Sequence, residues 1–219
     1  MSKLEDWREQ RKARTRKAVL KAARVRFAQI GVDDTTMDDI AARAQVARAT
    51  VFNHFPTKAA IVAELAEQMD DAFIAIIDRY AKAPISIRQR IVSLYEEIAQ
   101  AMEARRHYYR HLVGHWERAR GEASETARVE RLNEAFVRML TGEGCGGLRE
   151  DVDAPFAAEM LLSIQIEFIH KWRTSDNYPL MHRLPRAARL LAEALTLPDA
   201  LDFDGIERAT RIASDRQRY

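Results

Sequence analysis

Between positions 48 and 54 stand four side chains whose chemistry suits the edges and backbone of a nucleic acid. Arg48 offers the planar fork that matches a guanine edge, and Asn53 the donor–acceptor pair that matches adenine. Thr50 and His54 are types that bond phosphates or lie against a thymine methyl. A second row, His107, His111 and His115, repeats every four residues and so shares one helix face, a spacing that can hold a metal. Its neighbours Arg105, Arg106, Arg110 and Arg118 make that segment cationic, and no acidic ligand stands among the histidines. A solvated or packed polar face is therefore expected there, with no metal and no cofactor. The single cysteine, Cys145, lies in a Gly-rich loop; it excludes an internal disulfide, fits a reducing interior and is expected to be inert. The segment Gly142–Gly147 follows no strand, so it is no nucleotide fingerprint, and no Ser/His/Asp-like elbow occurs. Nothing here reads as an enzyme.

The elements that must position these groups are helical. Apolar residues at Val19, Leu20, Ala23, Phe27 and Ile30 form a helical stripe over 11–30, ended by Gly31. Thr36 can cap a second helix, with Asp39 three residues on completing a capping-box-like pair. That helix ends near Ala44, Gln45-Val46-Ala47 makes a tight break, and a third short helix spans 48–54. Pro56 breaks the chain again, and Thr57 caps a fourth helix over 58–80. Further helices are expected near 85–104, 106–119, 122–140, 153–174, 184–196 and 203–213, with no convincing strand alternation and no internal repeat. The fold class is all-α: an N-terminal three-helix helix-turn-helix domain followed by a larger helical domain. Two short helices over 36–44 and 48–54, joined by three residues, have the dimensions of a helix-turn-helix. Ile40, Ala41, Ala44, Val46, Val51 and Phe55 supply the small and apolar surface on which such helices cross.

Charge points the same way. The net charge is +2, yet residues through Lys58 hold 13 Lys and Arg against 7 Asp and Glu. A basic head on an acidic body suits a surface that meets an anion, nucleic acid being the usual one. At 47% hydrophobic and 31% charged, the 219-residue chain can build a real core and is too apolar to be disordered. Charges interrupt every apolar stretch, so no membrane span is expected, and the polar N-terminus lacks a secretory signal. A cytoplasmic location is expected.

The run Thr35-Thr36-Met37-Asp38-Asp39-Ile40-Ala41-Ala42-Arg43-Ala44-Gln45-Val46-Ala47-Arg48-Ala49-Thr50-Val51-Phe52-Asn53-His54-Phe55-Pro56-Thr57-Lys58 closely resembles the signature of TetR-type repressors. With Ala22-Ala23, Phe27 and Gly31 before it, the likeness covers roughly residues 14–65. The resemblance implies a DNA-binding domain over 1–58, with its motif at 36–55, and an effector-binding and dimerisation domain over 59–219. It implies a homodimer whose recognition helices enter successive major grooves of an inverted-repeat operator. Thr36, His54 and Lys58 stand where the family contacts phosphates; Arg48, Ala49, Thr50 and Asn53 stand on its base-reading surface. Three departures bear on that surface. Gln45 replaces the usual turn Gly, so a less strained turn is expected; Ala47 replaces a common Ser, removing a cap; Phe52 replaces a frequent Tyr and its hydroxyl. Phe52 is either part of the DNA-facing surface or part of the core.

The helix from Pro155 to Trp172 is apolar on more than one side, which predicts burial against its own subunit and against a partner. The helix bearing Leu184, Ala187, Ala188, Leu191 and Leu195 has a similar surface, and the resemblance implies that the two helices of each subunit form a four-helix dimer interface. Family members hold an effector inside this domain. Candidate lining residues are Tyr95, Met102, Tyr109, Leu112, Trp116, Phe136, Met139, Met160, Ile164 and Phe168, each of which can equally be plain core. Their Met-rich and aromatic character suits an apolar or flat small-molecule effector. Two other readings stay open: a DNA-binding dimer without a small-molecule effector, and a metal-dependent helical enzyme using His107, His111 and His115.

Overall fold

A computed structural model describes residues 3–119, 122–142 and 147–197. Nine helices occupy them: α1 Lys3–Asp34, α2 Met37–Ala44, α3 Arg48–His54, α4 Lys58–Ala81, α5 Ile87–Ala104, α6 Arg106–Ala119, α7 Glu122–Thr141, α8 Ala154–Thr174 and α9 Leu180–Leu195. Among the described residues there is no strand, only an isolated bridge between Leu148 and Thr196. The fold is all-α, and no described helix is long and apolar enough to cross a membrane. Cys145 and the helix expected over 203–213 lie outside the described residues.

Two helix starts differ from the sequence expectation. The first helix begins at Lys3 rather than near Arg11, because the intervening residues are good helix formers with no breaker among them. The ninth begins at Leu180, four residues before the expected start, and carries Pro185 inside it. Leu180, Leu184 and Pro185 are all buried there, so packing overrides the lost backbone donor of proline.

The chain divides into two compact units, Met1–Asp71 with Ala104–Thr126, and Ala72–Glu103 with Ala127–Tyr219. In the first, Val19, Ala23, Phe27, Ile40, Val51 and Phe55 form a closed apolar core joined by Ile61, Leu65 and Leu112. Each of the larger of these side chains contributes about 1.5–3 kcal/mol on burial, enough together to hold two helices too short to stand alone. Gly31 interrupts α1 at φ 84°, a left-handed backbone that favours glycine, and turns the chain toward α2.

In the second unit, α5 is tied to its neighbours by Arg90, which is fully buried. Its guanidinium donates to the carbonyls of Ala83 at 2.8 Å, Gly142 at 3.1 Å and Met139 at 3.2 Å. A Cβ on Gly142 would lie 2.6 Å from the Ala81 carbonyl oxygen, so glycine is required at that crossing. The Tyr95 hydroxyl donates to the Leu161 carbonyl at 2.7 Å, and the Trp172 indole to Glu103 at 2.8 Å.

Candidate nucleic-acid interface

Local hydrogen bonds fix α2 before any tertiary contact is counted. Thr36 is its N-cap: the Thr36 hydroxyl accepts from the Asp39 N–H at 3.1 Å, and the Asp39 carboxylate accepts from the Thr36 N–H at 2.9 Å. The bonds from Thr36, aided by the Arg26 guanidinium, hold the Asp39 carboxyl below its ordinary range. The Thr36 hydroxyl also donates to Asp39 at 2.7 Å, so this residue, expected at a phosphate, acts in this structure as a cap.

At the other end of α2 the turn is a Schellman closure. The Gln45 N–H reaches the Ala42 carbonyl at 3.2 Å and the Val46 N–H the Ala41 carbonyl at 3.1 Å. Gln45 sits at φ 56°, ψ 42°, the one non-glycine with positive φ among the described residues. The expectation of a less strained turn is therefore corrected. The closure needs a left-handed residue here whatever its side chain, and Gln45 adopts that conformation. Ala47, extended, starts α3 with no side-chain cap.

Helix α3 buries Val51 and leaves Arg48, Ala49, Phe52 and Asn53 exposed, with Thr50 and His54 half-buried. Phe52 thus stands on the outer face, not in the core. The Arg48 guanidinium lies 5.4 Å from its ring centroid and pairs with Asp38 at 2.9 Å. Both members of that pair are well exposed, so water and salt weaken it and Arg48 is easily recruited elsewhere.

Arg16 anchors the far end of α3. It donates to the His54 carbonyl at 3.1 Å and pairs with Glu64. Its guanidinium also lies 4.3 Å from the Phe55 ring centroid. Burial, and then the nearby charges of Arg16 and Lys12, lower the His54 pKa from its ordinary value. Sequence reasoning missed Arg16. The available signal was its position in the stripe of Leu20, Ala23 and Phe27, where a cation on an apolar face implies a partner.

Lys58, expected at a phosphate, turns inward. Its ammonium donates to the carbonyls of Val32 at 2.6 Å, Asp33 at 2.9 Å and Thr35 at 2.9 Å. Those three bonds use all three N–H groups and cinch the link between α1 and α2. Thr57 caps α4, accepting from the Ala60 N–H at 3.1 Å.

The candidate effector residues fall into different places. Leu112 is in the core of the first unit, and Tyr109 is half-buried on α6 beside Tyr108, ring centroids 5.2 Å apart. In the second unit Tyr95 and Phe136 stack at 6.3 Å, and both are buried together with Met102 and Met139. Burial pushes the Tyr95 hydroxyl well above its usual pKa. Ile164 and Phe168 are half-buried and Met160 is exposed on α8; the Trp116 side chain lies outside the described residues. Of the histidine row, His107 is exposed and His115 lies 3.2 Å from the Asp33 carboxylate, while the His111 side chain is not described. Among the described residues no group of three His, Cys, Asp or Glu could hold a metal ion.

Two short helices crossing on a common core, the second with an exposed row of Arg, Thr and Asn, define a helix-turn-helix DNA-binding domain. Residues 19–65 match the bacterial regulatory proteins of the tetR family. No curated protein matches it. Among solved structures it is similar to SmeT, the repressor of the Stenotrophomonas maltophilia multidrug efflux pump SmeDEF, with 21% identity, TM-score 0.63, 83% of this chain and 90% of that one covered. The SmeT–triclosan complex gives 22% identity and TM-score 0.57, with 85% and 93% covered. The transcriptional regulator FadR from Bacillus subtilis in complex with stearoyl-CoA gives 17%, 0.56, 80% and 96%. At these identities the likeness concerns the fold.

Proposed function

We propose that the protein is a ligand-responsive repressor acting as a homodimer on an inverted-repeat operator, with residues 1–58 binding DNA and 59–219 serving effector binding and dimerisation. The observation that carries this reading is the exposed face of α3, held by the α2 caps and by Arg16 while its own polar side chains face outward. On that face Arg48 and Asn53 read base edges, Ala49 and Thr50 contact the groove, and Phe52 packs on the sugar–phosphate wall. His54 donates an N–H to phosphate, whereas Thr36 and Lys58 hold the frame. A DNA ligand places the protein's work in the cytoplasm.

Dimerisation is supported by α8 and α9, each apolar on two sides. Ala158, Leu161 and Leu162 of α8 are buried, while Phe156, Met160 and Ile166 are exposed at 36–51%. On α9, Leu184 and Ala188 are buried while Met181 and Leu190 are exposed at 41% and 61%. Apolar surface of that kind on two adjacent helices suits a symmetric contact with a second copy. The buried aromatic and methionine cluster around Tyr95 and Phe136 suits an apolar or aromatic effector. Triclosan, bound to SmeT, is aromatic, and the stearoyl chain of the CoA ester bound to FadR is apolar. Helix α4 contributes residues to both units and is the expected carrier of the response, for which about 1–3 kcal/mol of coupling suffices.

The test is binding to the DNA flanking the protein's own coding region, titrated with salt against random DNA. A footprint of two inverted half-sites supports the reading; no binding to any duplex overturns it. With the operator in hand, release by apolar aromatic compounds tests the effector, and a regulator insensitive to all of them would be one controlled without a small molecule.

A further inference from the structure

Helix α1 begins at Lys3, sixteen residues before the family match at position 19. At 1.5 Å per residue that leading segment is about 24 Å long, and neither the helix-turn-helix nor the family match accounts for it. Its composition is uneven. Glu5, Asp6 and Glu9 all lie in the first part, whereas Arg11, Lys12, Arg14, Arg16 and Lys17 put five cations in seven residues with no carboxylate. Arg8, Arg11, Lys12, Arg14 and Lys17 are exposed.

The orientation of one row is fixed by its neighbours. Arg8, Lys12, Arg16 and Leu20 are spaced by four, so each is the neighbour of the next, in a row that winds round the helix by about 40° per step. Leu20 is buried in the core, and Arg16 donates to the carbonyl of His54, the last residue of α3. Lys12, one turn further out, is close enough to lower the pKa of His54. The row therefore runs past the end of the recognition helix and continues beyond it as Lys12 and Arg8. When α3 enters a major groove, these two cations continue the same surface along the duplex.

We infer that the leading segment of α1 is a second DNA-contacting element, a basic helical arm whose Lys12 and Arg8 bind backbone phosphates beside the groove occupied by α3. The inference rests on the DNA-binding reading above. Trp7, 58% exposed with the Arg11 guanidinium 5.6 Å from its ring centroid, would also suit a membrane surface, as basic amphipathic helices do. Against that, Leu4, Trp7 and Ala13 are the only apolar residues from Lys3 to Lys17, too few for a membrane-buried face. Continuity with α3 favours DNA.

The experiment compares full-length protein, Arg8→Gln/Lys12→Gln and the charge-matched control Lys82→Gln/Arg131→Gln from the second unit. Binding to a random-sequence duplex of about 40 base pairs is measured across salt concentration, since phosphate contacts are independent of sequence. Removing one cation from its phosphate reduces the slope of log K against log salt by about 0.9. With two arms per dimer, the arm variant is expected to show a slope smaller by two to four such steps and a fall of roughly 30-fold or more in affinity at ~0.15 M salt, while the control stays near wild type. Circular dichroism confirms that each variant is folded. A folded arm variant with unchanged slope overturns the arm and leaves the regulator reading intact; absence of DNA binding by the wild type overturns both. Binding to phosphatidylglycerol vesicles that the arm variant loses, with its DNA slope unchanged, assigns the segment to a membrane surface instead.

Discussion

Each unit ties backbone ends together with one cation, and the two cations work in opposite surroundings. Lys58 gathers three carbonyls between α1 and α2 from a half-buried position at the edge of the DNA-facing head. Arg90 gathers three carbonyls from the ends of α4 and α7 while fully buried. A flexible ammonium suffices where water can replace a missing bond. A rigid, multi-donor guanidinium is needed where it cannot. The Lys58 bonds thus lie at a surface that water reaches, whereas the Arg90 bonds come from a guanidinium that water does not reach.

That contrast is tested most strongly at Arg90. Arg90→Leu leaves three carbonyls, that of Met139 buried and those of Gly142 and Ala83 partly so, without their donor and should destabilise by about 3–5 kcal/mol, read as a fall in the urea midpoint. Arg90→Lys should recover little of it, because a single ammonium cannot span the positions the guanidinium reaches. If Arg90→Lys were fully stable, the distinction between the two cations would disappear.

Lys58→Met should cost less, about 1.5–3 kcal/mol, with the salt slope of DNA binding unchanged. The opposite pattern, unchanged stability with a slope smaller by about 1.8 for the two copies in a dimer, would make Lys58 a phosphate ligand rather than a tether. This pair of readouts separates the role implied by family resemblance from the one the geometry shows.

How far the sequence carries differs between the units for the same reason. In the head, Thr36 and Asp39 are local in sequence, and so is the break at Gln45-Val46-Ala47; caps and turns declare themselves within a few residues. Arg16 and Lys58 find their partners 38 and 23–26 residues away, and no local pattern names a distant carbonyl. In the second unit almost everything is of the latter kind. Helical periodicity located α5 to α8 well. It did not show that Arg90 is buried among three carbonyls, nor that Leu112 of α6 packs in the head while Tyr95 and Phe136 stack in the other unit.

The reading face itself is probed by Arg48→Ala. Its partners in the free protein, Asp38 and the Phe52 ring, are exposed, so folding stability should change by less than about 0.5 kcal/mol. Binding to the operator should weaken by about 1–3 kcal/mol with relaxed preference at one position of each half-site. Equal losses on operator and random DNA would remove base reading from Arg48.

The smallest expected effects lie in the turn that joins the two short helices, where the departures from the family pattern have opposite physical origins. Ala47→Ser supplies a hydroxyl to the uncapped start of α3 and should stabilise by about 1 kcal/mol. Gln45→Gly acts on the backbone instead. A left-handed residue with a Cβ costs about 1–2 kcal/mol, while glycine's extra freedom in the unfolded chain returns about 0.4–1 kcal/mol of that. A net gain of about 0.5–1 kcal/mol in thermal unfolding is therefore expected, smaller than the cap. A fall in stability on Gln45→Gly would mean that the glutamine side chain stabilises the turn by more than its backbone strain costs. The turn would then be held by side-chain interactions, as the second unit is, and not by local backbone geometry.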